Sequence, residues 1–253
     1  MRPILRCAAL LLSILLLLPA LCGCRTAPAS SEGTYITAEG YTAEEILAYF
    51  SEIVFGSEYG GYRGTVCKWN EPILLWIHGE FGEGELAVLG DLMDRLNGIE
   101  GFPGISFAET EAEANALLYF VMQGNLTDYF GESAENASGR TQFSFKKSTG
   151  EIISAKIGVA SNIAPQSAKA SVICEELLQS LGVASDSYAY PESVFYEGYN
   201  ASLRPAEIDW AILTLLYHKS ITPGMSYGDA MDKASALLGI PASGVKEEET
   251  MYG

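Results

Sequence analysis

Histidine is the scarcest chemically useful residue in this 253-residue chain, with two, His78 and His218. They sit singly and far apart, so no pair has the one-turn spacing by which a helix holds a metal ion. His78 ends an expected strand and His218 an expected helix, where a partial positive charge suits the dipole. Cations are also few: 15 Lys and Arg face 32 Asp and Glu, a formal charge of −17. No Lys/Arg cluster offsets this balance, so phosphate backbones repel the chain and nucleic acid is excluded as the expected partner. A G-x-S-x-G nucleophile turn is missing. The nearest approach to a phosphate loop, "FGEGE" at 81–85, has no lysine and two glutamates that repel phosphate. Beyond residue 24 only Cys67 and Cys174 remain, neither in a CxxC-like metal spacing. They either bond to each other or stay buried as small apolar residues.

What is present starts at the N-terminus. Arg2 and Arg6 precede an apolar run from Ala8 to Leu18, the pattern of an export signal. The run falls short of the roughly 20 apolar residues of a permanent membrane span. Leu21-Cys22-Gly23-Cys24 resembles the bacterial lipobox, whose cysteine is lipidated and becomes the first mature residue. That resemblance makes Cys24 the expected anchor, on the extracytoplasmic face of the cell membrane. Residues 1–23 then read as a lipoprotein signal peptide, 24–40 as a small polar tether and 41–253 as a single domain. Without Arg2 and Arg6, 13 basic residues face 32 acidic ones, a formal charge of −19 that favours solubility and names no ligand.

The periodicities predict an α/β (α+β) chain with a mixed sheet and C-terminal helices. "TAEEILAYFSEIVF" opens with a capping box, Thr42 with Glu45, and is the first helix. "KWNEPILLWIHG" holds a buried strand. Leu86, Leu89, Leu92, Met93 and Leu96 form one helical stripe that Gly98 stops. "GISFAE" and "NALLYFVMQ" read as strands, Gly124 to Arg140 as a surface insertion, and "TQFSFKK" with "EIISAKIGVAS" as a hairpin. Sequons at Asn125, Asn136 and Asn200 are expected to be accidental. "PAEIDWAILTLLYH", with Pro205 in its first turn, and "YGDAMDKASALLG" are the last helices.

The informative stretch is "SVICEELLQSLGVASD", residues 171–186. At 100° per residue, Ala170, Ile173, Cys174, Leu177, Leu178 and Leu181 make an apolar stripe. Glu175 and Gln179 share the opposite face with Glu176 beside them, and Gly182 ends the helix in a left-handed conformation. Metzincins carry H-E-x-x-H-x-x-G-x-x-H on such a helix. Laid over it, Glu176 takes the general-base position and Gly182 the turn, while Glu175, Gln179 and Ser185 stand where the histidines would be. Oxygen donors at Glu175 and Gln179, with Glu176 or Asp186, suit Ca²⁺, Mg²⁺ or Mn²⁺ better than Zn²⁺.

"KWNEPILLWI", "EELLQSLGVASDSYAYPESVFY" and "LRPAEIDWAILTLLYHKSITPGM" resemble an exported bacterial family, domain of unknown function 2927. The likeness covers most of residues 65–225. It implies a zincin-like (metzincin-like) layout, a sheet followed by the E-E-x-x-Q-x-L-G helix, and carries no established activity. Phe195 stands where metzincins have a methionine beneath the metal. The expected function is therefore a catalytically inactive binding or scaffold domain without cofactor or metal, taking an extended peptide or cell-envelope component. Tyr188, Tyr190, Phe195, Tyr196 and Tyr199 either stack on that ligand or pack their loop onto the core. The alternative is a divergent peptidase or other hydrolase with Glu176 as general base and Glu175, Gln179, Ser185 and Asp186 on its cleft face.

Overall fold

The computed structural model describes residues 35–56, 64–183, 185–198 and 204–241. The expected export signal, Cys24, residues 24–34 of the tether, Tyr199, Asn200 and the acidic tail lie outside the described residues.

Helix α1 is Ala43–Phe55, and its capping box forms as expected: Glu45 N donates to Thr42 Oγ1 and Thr42 N to Glu45 Oε2. Packing already begins before it, because Ile36 N donates to Leu237 O and Ala38 is buried. Then come β1 (Lys68–Trp69), β2 (Ile73–His78), α2 (Glu83–Asn97), β3 (Ile105–Phe107) and β4 (Ala116–Val121). The short α3 (Thr127–Phe130) leads to the hairpin β5 (Gly139–Phe145) and β6 (Glu151–Ala160). Helices α4 (Gln166–Gln179), α5 (Glu207–Tyr217) and α6 (Tyr227–Leu237) complete the chain. Among the described residues no helix is long and apolar enough to cross a membrane.

The six strands form one sheet along the path β1-β6-β4-β2-β3, all parallel, with β5 added antiparallel to β6. This is a mixed α/β fold with a mostly parallel sheet. Because β4 and β5 both pair with β6 over the same residues, they occupy opposite edges of it. That leaves β5 at the margin of the sheet. The main core lies on one face, where Leu75, Leu118, Ile157 and Val159 meet α1, α2, α4 and α5.

Segment 124–140 differs from the expected surface insertion. Leu126, Phe130 and Ala134, four residues apart, are buried against Tyr119 and Ala160 in a second small core on the other sheet face. Gly158 on β6 makes room for Phe130 and Leu126, and Arg140 already belongs to β5. The polar composition masks this helical spacing of apolar residues. In α2 the stripe shifts by one position: Leu86 is 45% exposed while Glu85 is 7% exposed. The cause is a nonlocal partner, since Lys169 Nζ on α4 reaches Glu85 Oε1 at 3.2 Å. Pro205 precedes Ala206, the N-cap of α5, rather than sitting in the first turn.

Candidate functional site

Helix α4 is buried nearly all round. Its apolar stripe is sealed as expected, with Ile173, Cys174, Leu177, Leu178 and Leu181 at 0–1% exposure. The face opposite is not a solvated one: Glu176 is 5% and Gln179 6% exposed, and Glu175 is half-buried. Two structures cover it. The first is the start of β5, where Gly139 lies so close to Glu176 that a Cβ would collide with the carboxylate and with Val172. Thr141 Oγ1 donates to Glu176 O at 2.8 Å, tying the strand to the helix backbone. The second is the loop after α4.

That loop explains the remaining sequence-selected residues. Gln179 Nε2 donates to Asp186 Oδ1 at 2.8 Å, so the amide reaches forward into the loop. Ser185 is buried against the end of α1, where a Cβ on Gly56 would stand 2.6 Å from its hydroxyl. Ser187 N donates to Phe195 O and Glu197 N to Ser187 O, closing the loop on itself. Phe195 is fully buried in the core.

A buried carboxylate missed at the level of sequence fastens this loop. Asp209, on α5, is 0% exposed and accepts from Ser193 Oγ (2.6 Å), Val194 N (3.1 Å) and Ala206 N (2.8 Å). Ser193 Oγ also meets Tyr49 OH at 2.7 Å, linking α1 to the same clasp. Desolvation pushes the Asp209 carboxyl up to about 6, against the three hydrogen bonds that favour its charged form. The signal available in sequence was an aspartate at the third position of α5, where a capping role is common.

The aromatic cluster divides in the same way. Tyr190 packs edge-on between Tyr41 (5.3 Å) and Tyr49 (4.9 Å), whereas Tyr188 is 68% exposed and meets Tyr196 edge-on. Cys67 and Cys174 are both buried and are not bonded to each other, and burial raises the Cys174 thiol to about 12. His218 ends α5 as expected, at its C-cap. Ser220 N donates to its Nδ1, and burial lowers its proton affinity. His78 stacks on Tyr119, with ring centroids 4.9 Å apart, and its Nε2 lies 3.2 Å from Glu111 Oε1. Among the described residues no three His, Cys, Asp or Glu side chains converge to hold a metal ion.

Gly182 has φ +106°, and a Cβ there would run into Cys67 O. Its place in the motif follows from this close approach of α4's end to the strand β1. Trp69 Nε1 donates to Ser180 O at 2.9 Å and Tyr217 OH to Leu181 O at 2.9 Å, so β1 and α5 together cap the carbonyls at that end.

Neither the curated proteins nor the solved structures contain a match to this sequence. The sequence model of a family described as "Protein of unknown function (DUF2927)" matches residues 43–234, from the first turn of α1 into α6. The three segments that carried the resemblance are β1–β2, α4 with its clasped loop, and α5, and the chain belongs to the DUF2927 family.

Proposed function

We propose that this chain is a lipid-anchored, extracytoplasmic protein held at the cell membrane through Cys24. Its zincin-like domain acts as a binding or scaffold module for an extended peptide or cell-envelope component. The observation that carries the non-catalytic part is the enclosure of Glu176. A general base must reach the proton it abstracts, directly or through one water. Here the carboxylate is walled by Gly139, Val172 and the helix itself. The zincin-like reading draws support from α4 following β6, the last strand of the sheet in chain order, which is the order of sheet and helix that the metzincin resemblance implies. For the ligand, β5 pairs with β6 and, among the described residues, with no other strand. An extended segment can add to such an edge through main-chain hydrogen bonds.

Three measurements test this reading. Protein purified without chelator is expected to carry less than stoichiometric metal, and Glu176→Gln is expected to leave every detectable turnover unchanged. A stoichiometric metal or a Glu176-dependent hydrolysis would replace the module with the hydrolase. Cys24→Ser is expected to release the protein from the membrane fraction, and unchanged partitioning would remove the anchor.

A further inference from the structure

Parallel strands normally have both faces covered, because their backbone and apolar side chains are shielded on each side. Here the helices cover one face, and the packed segment around Leu126 and Phe130 covers only part of the other. Beside that segment lies a groove of about 410 Å³, within the size range of small-ligand sites, lined by Asn115, Leu117, Gln142, Ser144, Ser154 and Lys156.

The strand register orders these side chains. Gln142 on β5 pairs with Lys156 on β6, Lys156 with Leu117 on β4, and Leu117 with Trp76 on β2. Residues paired across a sheet point to the same face, so one row runs amide, ammonium, isobutyl, indole. Ser144 pairs with Ser154 in the neighbouring row and adds two hydroxyls. Trp76 is half-buried, while Trp69 and Trp210 are buried in the main core. Two strand spacings, about 10 Å, separate the indole column from the ammonium column.

The charge of this groove opposes that of the molecule. No carboxylate lines it, and Lys156 has no ion pair among the described residues, in a chain of formal charge −17. A negatively charged ligand finds its local attraction here. Recognition through a row of side chains on a sheet face offers hydroxyl and amide partners and no free main-chain edge, which disfavours an added peptide strand. The indole offers an apolar platform for the C–H face of a sugar ring. We infer that this groove binds a carboxylate-bearing oligosaccharide, with a carboxylate on Lys156 and one ring extending past the groove's lining, beyond Leu117, against Trp76 of the same row. The site is on the sheet face away from α4; Gln142 and Ser144 reach it from the face of β5, whereas the peptide reading uses the main-chain edge of that strand.

The test uses the full chain in detergent, titrated with trigalacturonate while Trp fluorescence and heat are recorded. Saturable binding is expected, with a fluorescence change that Trp76→Phe abolishes. Lys156→Gln should weaken binding about tenfold or more, as loss of a charge-assisted hydrogen bond does, and Lys156→Arg should retain it. Maltotriose, which lacks the carboxylates, should bind as weakly as the Lys156→Gln variant binds the acid. No saturation at millimolar trigalacturonate, binding indifferent to Lys156→Gln, or equal binding of tetraglutamate would overturn the inference.

Discussion

Asp209 is the residue whose ionisation the fold controls most directly. Its carboxyl is pushed up to about 6, above the ordinary value of 3.8, by burial that outweighs its three donors. Folding therefore favours its protonated form. The associated stabilisation is fully present below pH 3.8 and is lost as pH rises through about 6. Asp209→Asn removes this dependence and leaves one donor facing an amide NH₂. The substitution should cost more near pH 4 than at pH 7, by about 2–3 kcal/mol, in paired denaturant melts. Equal costs at the two pH values would count against the shift. Gly182 makes a different demand. Left-handed backbone costs a non-glycine residue about 1–2 kcal/mol, and the approach to Cys67 O adds a steric clash. Gly182→Ala is expected to destabilise by more than about 2 kcal/mol in the same measurement. A loss below about 1 kcal/mol would show that the end of α4 can move away from β1.

At the level of elements, α2 and α4 are joined by an ion pair that composition alone would place on the surface. Lys169 and Glu85 have side-chain exposures of 13% and 8%, and the ammonium sits 5.5 Å from the Phe120 ring centroid. Gln166 and Lys169 both hold Glu85 below the usual carboxylate range, the Gln166 hydrogen bond having the larger effect. Removing one partner strands a buried charge. Lys169→Met should therefore cost about 2–4 kcal/mol, and adding Glu85→Met should recover much of that loss. Strictly additive effects in a double-mutant cycle would refute the coupling.

The same pair shows where sequence reading stops. Ile46, Phe50, Ile53 and Val54 in α1, the stripe of α4, and Ile208, Ile212, Leu215 and Leu216 in α5 follow local helical periodicities, and all are buried. Glu85 replacing Leu86 inside depends on a residue 84 positions away, which no window along the chain contains. Spacing puts Glu176 and Gln179 off the apolar stripe, and what covers them comes from the loop after α4 and from β5, which no local window contains. The insertion at 124–140 was legible in part, since Leu126, Phe130 and Ala134 carry a helical spacing, but the surrounding Gly, Asn and Ser outweighed it.

Across the whole molecule, the sheet separates two surfaces of different character. One margin offers backbone at β5, and the uncovered part of the second face offers side chains, with a local positive charge. The short strand β1 joins the helical layer to this sheet. Lys68 Nζ donates to Leu216 O and Ile221 O at the end of α5, while Trp69 caps the end of α4. Burial lowers the Lys68 ammonium to about 8, yet the carbonyls at a helix end favour its charge. The domain is consequently not divisible at the gap between α1 and β2. A shortened polypeptide that started at Ile73 would retain every residue of α4 and α5 while losing the Trp69 bond at the end of one and the Lys68 bond at the end of the other. Its weakness would surface in helices that the truncation never touched.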